Sequence, residues 1–367
     1  MKKMKPKQKK ILCIPETREG HGTGHVIRCL EILKAAGSPG SGLYVDDINA
    51  PVVKLIPEEY RITSAESAYD LIVVDKRNTN MKTMEWCVQK GLTIGIDARG
   101  AARPYFDYLV DILPQLNSRH APNIREPGFL TQPTRTREKP LVHPDNILLV
   151  FGGEDYAGLS SKMARYLVEK HKIAPERITA LIGVGFKDQR YPPGVKMLRQ
   201  AKDARELFAD FDLVISQFGL GLFEAAAAGC AVAGFHPSRY HHQLAEAAGF
   251  FSLGVKRPKR RAVQKMLAHF QVCFPPASLK SAPQCLGQFL AGLTPLQDLG
   301  TPVRGSRLNI GIARSPQETF FRCKSSGLVF KQRYKPLSID YNSDYFGQEY
   351  REQYGRTYEE DFDTILD

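Results

Sequence analysis

At 367 residues the chain is long enough for two domains, each with its own hydrophobic core, and its 43% of apolar residues is ordinary for a globular protein. Its seven cysteines are scattered and form no CxxC pair, so they indicate neither a disulfide framework nor a zinc site. The formal net charge of +12 is uneven, with six lysines in the first ten residues and five basic residues in 256–261, yet no nucleic-acid-binding motif accompanies them.

A first α/β unit is predicted over 11–116, after a basic tail at 1–10. Short apolar runs predict its strands at 11–15, 43–45, 70–75, 92–97 and 108–113. Helical spacing of apolar residues predicts helices over 26–36 and 79–90. Strands that alternate with helices indicate a parallel sheet covered on both faces.

A second α/β unit is predicted over 146–299, beyond a linker at 117–145 that is rich in proline, arginine and threonine. Its strands are expected at 146–151, 178–184, 212–216 and 230–235. Its helices are expected at 159–172, 204–208, 222–228, 243–248, 261–270 and 279–290. The extension at 300–367 has few strand signals and many tyrosines and acids, and we expect it to pack on the second domain or to stay partly mobile.

Three glycine-rich turns follow strand ends, at 20–25, 152–155 and 217–221. Open parallel sheets bind ligands beyond the carboxyl ends of their strands. Two domains that face each other would therefore place all three turns around one cleft.

The first turn runs Gly22-Thr23-Gly24-His25 and is followed by Arg28. A histidine that opens a helix after a glycine turn is well placed to act as a base on a substrate hydroxyl or on water. An arginine one turn later could bind phosphate through two of its guanidinium nitrogens. The spacing is not that of a GxGxxG dinucleotide turn, and no Gly-Lys-Ser/Thr of a P-loop occurs. The structural alternative is a capping histidine and a surface arginine.

The third turn lies inside Asp212–Gly229, which is predicted as a strand, a glycine turn and a helix. Gly219 and Gly221 permit a tight turn, and the helix after them presents free amides and a positive dipole end to an anion. Glu224 lies one turn into that helix and could hold a sugar hydroxyl. The alternative is an ordinary strand-to-helix connection.

Taken in order, these motifs resemble one protein family. They are GxGHxxRC at 22–30, DxxVxD at 70–75, IDxR at 96–99, FGGED at 151–155, and DLVIS followed by G, E, AAAG and HHQ from 212 onward. Together they resemble the UDP-sugar hydrolase of pseudaminic acid synthesis and its spore-coat-polysaccharide glycosyltransferase relatives. More distantly they are similar to the lipid-linked N-acetylglucosaminyl transferase of peptidoglycan synthesis. The resemblance covers about residues 11–255 and implies an α/β protein of GT-B fold, with two Rossmann-like domains facing across a cleft that holds a UDP-linked sugar.

The resemblance also implies roles for individual residues. His25 would be the catalytic base, Glu224 would hold the ribose, and the helix start before Leu222 would stabilise the leaving diphosphate without an obligatory metal or cofactor. The substrate-binding set that it implies, together with the spacing arguments, is Gly22, Gly24, Arg28, Asp75, Asp97, Gly152, Gly153, Ser216, Gln217, Gly219, Gly221, Glu224, His242 and Gln243. The adjacent His241 and His242 lack a third ligand at suitable spacing, so we predict no metal site.

The chain departs from the family pattern at Lys76 and Arg77, at Ala98, and at Gln217-Phe218. Lys76, Arg77 and Ala98, together with the basic N-terminus, favour a glycosyltransferase of surface polysaccharide or glycan synthesis, with a glycan or lipid-linked acceptor, whereas Gln217-Phe218 favours the non-catalytic alternative given below. The first alternative is a UDP-sugar hydrolase. The second is a non-catalytic nucleotide-sugar-binding partner of a methyltransferase, because the segment 341–362 resembles the entry segment of such enzymes, and Cys323-Lys-Ser-Ser-Gly resembles half of a cysteine knuckle.

No apolar run reaches the length of a membrane span, and the apolar segment after the basic start is too short for a secretory signal. The sequence therefore predicts a cytoplasmic protein. Its basic segments are interpreted as solvated charge, or alternatively as a contact with the anionic inner face of a membrane.

Overall fold

The computed structural model describes residues 8–18, 23–47, 49–64, 67–116, 119–137, 143–186, 189–199, 204–274, 282–295, 308–334 and 351. Two large parallel sheets and one small antiparallel sheet account for the strands within these residues. None of the described helices is long and apolar enough to cross a membrane.

The N-terminal domain is built on a parallel sheet, as predicted. In the described part its strands are β1 (Ile11–Pro15), β2 (Gly42–Tyr44), β3 (Arg61–Ile62), β4 (Leu71–Asp75), β5 (Leu92–Ile96), β6 (Tyr108–Asp111) and β7 (Ile124–Arg125). They lie in the order β3-β2-β1-β4-β5-β6-β7, and every neighbouring pair is parallel. Alternate residues of β1 and β4 pack against α1 (Gly24–Ala36) on one face and α2 (Met81–Lys90) on the other, which buries both strands completely.

The C-terminal domain repeats this plan. Its described strands are β8 (Ile147–Val150), β9 (Ile178–Ile182), β10 (Lys196–Arg199), β11 (Leu213–Ser216), β12 (Ala231–His236), β13 (Phe251–Val255) and β14 (Arg257–Pro258). Their order, β10-β9-β8-β11-β12-β13-β14, matches that of the first sheet, and only β14 runs antiparallel to its neighbour. Its helices are α3 (Leu159–His171), α4 (Arg205–Phe208), α5 (Leu220–Ala227), α6 (Arg239–Ala247) and α7 (Arg260–Ala268).

Both sheets have the strand order of dinucleotide-binding folds, in which the direction of winding reverses beside the first strand. Two such domains in contact across a cleft form the GT-B arrangement, so the predicted fold class is confirmed. One continuous apolar cluster links the α1 side of the first sheet with the α5 side of the second.

The chain returns to the N-terminal domain through α8 (Leu286–Gly292). A Cβ atom on Gly287 would lie 2.6 Å from the carbonyl oxygen of Ile32, so α8 approaches α1 closely because this position is glycine. The ring centroids of Phe289 and Phe129 are 5.1 Å apart. Helix α8, which lies within the predicted second domain at 146–299, thus packs on the first domain.

The predicted linker at 117–145 and the predicted extension at 300–367 both differ from the structure. Strand β7 lies inside the supposed linker and pairs with β6; a strand of two residues has no periodicity to detect. The extension contains an antiparallel sheet of β15 (Asn309–Ser315), β16 (Glu318–Cys323) and β17 (Val329–Arg333).

This third sheet packs on the N-terminal domain and not on the second domain. The side-chain amide of Asn123 donates to the carbonyl oxygens of Ser315 and Glu318 at 2.8 and 3.1 Å, and the hydroxyl of Tyr334 donates to the carbonyl oxygen of Asp107. The tyrosine-rich segment 341–362 lies outside the described residues, apart from Arg351.

Candidate active site

The carboxyl ends of the two sheets face each other at the points where their winding reverses. In the first domain, α1 starts between the ends of β1 and β4. In the second domain, α5 starts between the ends of β8 and β11. A Cβ on Gly24 would lie 3.1 Å from the side chain of Leu220, so the first residues of α1 and α5 are in contact across the cleft.

A second contact joins the same two edges. A Cβ on Gly153 would lie 2.2 Å from the methyl group of Thr23, the residue that precedes α1. The predicted site residue Gly153 is therefore a packing position, because its surface is covered by Thr23. Gly152 beside it has a φ of +75°, which glycine adopts without strain. Gly22, another predicted site residue, lies outside the described residues.

His25 and Asp75 form a hydrogen-bonded pair at the centre of this contact. Nδ1 of His25, the second residue of α1, lies 2.7 Å from Oδ1 of Asp75, the last residue of β4. Burial alone would raise the pKa of Asp75, but Arg28 and His25 lower it below its usual range, so Asp75 is a carboxylate and can only accept. Nδ1 therefore donates in this hydrogen bond, and in the neutral imidazole the lone pair is on Nε2. The imidazole is 16% exposed and Asp75 is fully buried.

The guanidinium of Arg28 is held by two buried aspartates. Its Nε and Nη2 donate to the two oxygens of Asp75 at 2.7 and 2.6 Å, and its Nη1 donates to Oδ2 of Asp97 at 2.8 Å. Burial would lower the pKa of Arg28, but Asp75 and Asp97 raise it. Oδ1 of Asp97 accepts the backbone amides of Ile112 and Leu113, both at 2.8 Å.

Arg28, Asp75 and Asp97 are three of the predicted substrate-binding residues. They are 5%, 0% and 1% exposed, and their side chains contact one another. Of the three, Asp75 also contacts His25. That Asp75 has a buried partner could have been predicted from the sequence, because a carboxylate that ends the otherwise apolar run Leu-Ile-Val-Val needs one.

Lys76 and Arg77, where the sequence departs from the family pattern, have different surroundings. Lys76 is buried and forms an ion pair with Asp46. Arg77 reaches the other domain, where its Nη1 donates to the hydroxyl of Tyr240 at 2.8 Å. The guanidinium of Arg99 lies 4.6 Å from the centre of the same tyrosine ring. Tyr240 was not predicted as a site residue, because nothing local to α6 distinguishes it from a surface tyrosine.

In the second domain, side chains at the end of β11 tie the following turn to the backbone at the end of β8. The hydroxyl of Ser216 donates to the carbonyl oxygen of Val150, and the amide of Gln217 donates to that of Phe151 at 3.3 Å. The predicted site residue Ser216 therefore ties β11 to β8 with its side chain. Among the described residues, none other than the two neighbours of Gly219 has an atom within 4 Å of a Cβ built there, so the described part of the chain leaves the entrance to α5 open.

The first amides of a helix have no partner within the helix. Those of Leu220 and Gly221 are consequently available at the open side of Gly219, with the positive end of the α5 dipole behind them. Glu224 is half-buried one turn further along α5.

His236 supports the turn after β11 and was not among the predicted site residues. It ends β12 and is fully buried, and its Nδ1 accepts the backbone amide of Phe218 at 3.2 Å. Burial, reinforced by the nearby His242 and His241, lowers the pKa of His236 to about 3. A neutral ring is required, because only an unprotonated Nδ1 can accept that amide.

The helix α6 carries the remaining predicted residues. Nε2 of His242 lies 3.4 Å from Glu246, and Nδ1 of His241 lies 2.8 Å from the hydroxyl of Ser238, which caps the helix. Gln243 is exposed and makes no side-chain hydrogen bond within the described structure. Among the residues that the structure describes, no three His, Cys, Asp or Glu side chains are grouped so that they could hold a metal ion.

No protein-family model matches this chain, and a search of curated proteins also finds no match. Among solved structures, MurG of Acinetobacter baumannii is 12% identical, with 77% of this chain and 98% of that chain covered and a TM-score of 0.49. Anabaena HepE in complex with UDP-glucose is 14% identical, with 77% and 94% covered and a TM-score of 0.47. The spinosyn rhamnosyltransferase SpnG is 9% identical, with 74% and 97% covered and a TM-score of 0.42. These likenesses concern backbone shape and say nothing about individual side chains.

Proposed function

We propose that the protein is an inverting glycosyltransferase that moves a sugar from a nucleoside diphosphate to an acceptor hydroxyl, in the synthesis of a surface glycan. The observation that carries the proposal is the His25–Asp75 pair, which lies opposite the open start of α5. A histidine oriented by a buried carboxylate is an arrangement for proton transfer. A helix start with free amides is an arrangement for a diphosphate.

In this mechanism, Nε2 of His25 accepts the proton of the acceptor hydroxyl while the hydroxyl oxygen attacks the anomeric carbon. The bond from that carbon to the diphosphate oxygen breaks, and its electron pair leaves with the nucleoside diphosphate. Attack from the side opposite the leaving group inverts the anomeric configuration. Asp75 stabilises the imidazolium that forms, and general-base assistance of this kind contributes about 10²- to 10⁴-fold in rate.

The diphosphate would lie against the amides of Leu220 and Gly221, where the dipole of α5 stabilises the charge that develops on the leaving group. Glu224, one turn along α5, would accept hydrogen bonds from the ribose hydroxyls. UDP is the nucleotide that the motif resemblance implies, and no metal is required for this arrangement. A contact of the basic segments with an anionic membrane would bring the cleft close to a lipid-linked acceptor.

The test is the release of nucleoside diphosphate from UDP- and dTDP-sugars, with and without a mixture of glycan acceptors. We expect release that depends on an acceptor and falls at least about 10²-fold in His25→Ala. His269→Ala is the matched control, since His269 is exposed at the end of α7.

Equal release from His25→Ala and the unmodified chain would contradict the proposal. Release that does not change when acceptor is added would identify a nucleotide-sugar hydrolase. Nucleotide binding without any release would favour a non-catalytic sugar-nucleotide-binding protein.

A further inference from the structure

Two arginines of the N-terminal domain lie side by side at the cleft, just outside the carboxylates that hold His25. Arg77 follows Asp75 by two residues, and Arg99 follows Asp97 by two residues. The backbone amide of Arg99 donates to the carbonyl oxygen of Arg77 at 2.6 Å, which fixes the two loops together. Both guanidinium groups reach Tyr240 of the opposite domain.

Neither guanidinium has a carboxylate partner within the described residues. Arg77 donates to the hydroxyl of Tyr240, and Arg99 donates to the carbonyl oxygen of Leu116 at 3.0 Å. The more deeply buried arginines differ in this respect. Arg28, Arg103 and Arg137 each form an ion pair with one or more aspartates.

The charged side chains that the structure describes around Arg77 and Arg99 do not neutralise these two arginines. Asp75 and Asp97 carry two negative charges and Arg28 one positive charge, so the inner network has a net charge of −1. Lys76 and Asp46 cancel each other. Arg77 and Arg99 add two positive charges at the surface of the cleft, where each repels the other. Among the described residues, the side chain of the opposite domain that contacts both is the neutral Tyr240.

We propose that Arg77 and Arg99 form a subsite for a carboxylate on the substrate, beside His25. This deepens the proposed function and depends on it: the carboxylate belongs to an acidic sugar of the donor or to an acidic sugar of the acceptor. The planar fork of a guanidinium matches the two oxygens of a carboxylate, and charge-assisted pairs of this kind are about twice as strong as neutral hydrogen bonds.

Tyr240 occupies the subsite when no substrate is bound. Its hydroxyl takes the donor of Arg77 that a carboxylate oxygen would take, and its ring covers Arg99 through a cation–π contact. A carboxylate is a stronger acceptor than a phenol, so it displaces the hydroxyl while the ring remains stacked on Arg99.

The diphosphate is the other anion in the cleft, and the experiment separates the two. Binding is measured for two matched probe pairs that differ only by a carboxylate at carbon 6. UDP-glucuronic acid against UDP-glucose tests the donor. Methyl β-D-glucuronide against methyl β-D-glucoside tests the acceptor, by ligand-observed NMR with and without UDP. The proteins are the unmodified chain, Arg77→Met, Arg99→Met, and Arg165→Met as a control on the side of α3.

We expect one pair to show a preference of about tenfold or more for its acidic member. Arg77→Met and Arg99→Met should each remove most of that preference and leave UDP affinity unchanged, and Arg165→Met should alter neither quantity. The pair that shows the preference identifies the source of the carboxylate.

Two results would overturn the inference. The first is that neither pair shows a preference for its acidic member. The second is that both arginine variants weaken UDP alone as much as UDP-glucuronic acid, which would assign the arginines to the diphosphate. Failure of every nucleoside diphosphate tested to bind would refute the proposed function separately, since the glycoside pair reports on the arginines without nucleotide.

Discussion

Replacing Asp75 with asparagine should reduce turnover far more than it reduces the stability of the fold. Asp75 accepts three hydrogen bonds, from Nδ1 of His25 and from two nitrogens of Arg28. Two of these donors point at Oδ1 and one at Oδ2. An asparagine that places its oxygen at Oδ1 keeps two of them, but its amide group then faces the Nε donor of Arg28.

The expected loss of stability follows from the number of hydrogen bonds that are lost. One charge-assisted hydrogen bond is lost, which costs about 1.5–3 kcal/mol of the free energy of unfolding. Because the pKa of Asp75 is lowered in the folded state, the cost is fully present at pH 7 and narrows as the pH falls below about 4. Turnover should fall at least about 10²-fold, since the imidazolium loses the charge that stabilises it. Nucleotide affinity should not change.

Asp111→Asn is the matched control. Asp111 is also a buried carboxylate that accepts two hydrogen bonds from an arginine, Arg103, at 2.8 and 2.9 Å, but it contacts no histidine. Urea unfolding and steady-state turnover are measured for both variants. Asp111→Asn should lose less stability than Asp75→Asn, because burial raises the pKa of Asp111 and disfavours its ionised form, and turnover should be lost only in Asp75→Asn. An Asp75→Asn protein that is folded and turns over within about threefold of the unmodified chain, a change under 1 kcal/mol in barrier height, would refute the catalytic role of the pair.

Three further predictions concern the supports of the cleft. Gly153→Ala places a Cβ 2.2 Å from Thr23 and should cost about 1–3 kcal/mol of stability, most of which Thr23→Ala in the same chain should restore; thermal unfolding decides this. The folded chain excludes a proton from His236, whose pKa is about 3, whereas the unfolded chain binds one below about 6.5. The free energy of unfolding should therefore decrease as the pH is lowered from about 6.5 to about 3. His236→Asn keeps a hydrogen-bond acceptor and should reduce this pH dependence by about 1.4 kcal/mol per pH unit in urea titrations. Asn123→Ala should release the third sheet from the N-terminal domain, which faster hydrogen exchange in β15 and β16 would show, with unchanged exchange contradicting it.

The sequence predicted most of both parallel sheets because their strands are unbroken apolar runs. The run at 11–15 is buried at every position, and its predicted bounds agree with those of β1. The missed strands give weaker signals. β3, β7 and β14 have two residues each, β10 (Lys-Met-Leu-Arg) is mostly exposed, and β13 (Phe-Ser-Leu-Gly-Val) contains a glycine and a serine. The third sheet escaped notice because its strands, half exposed, mix charged and apolar residues without strict alternation.

The candidate site follows from features of the sequence, but the contacts that its polar residues make do not. Strand ends, glycine turns and His25 could be read from spacing. The partners of Arg28 could not be predicted, because Asp75 and Asp97 are 47 and 69 residues away in the sequence. The order of the strands brings them next to Arg28. His236 and Tyr240 are recognisable only once β12 and α6 have been placed beside the turn after β11.

The central claim is that the open start of α5 binds a nucleoside diphosphate. Calorimetric titration with UDP, and with dTDP, GDP and CMP for comparison, tests it most directly. The claim predicts saturable binding of one nucleoside diphosphate, weakened at least about tenfold in Glu224→Ala, which loses the hydrogen bonds to the ribose. No binding of any of the four nucleotides, or binding that is equally strong in Glu224→Ala, would contradict it.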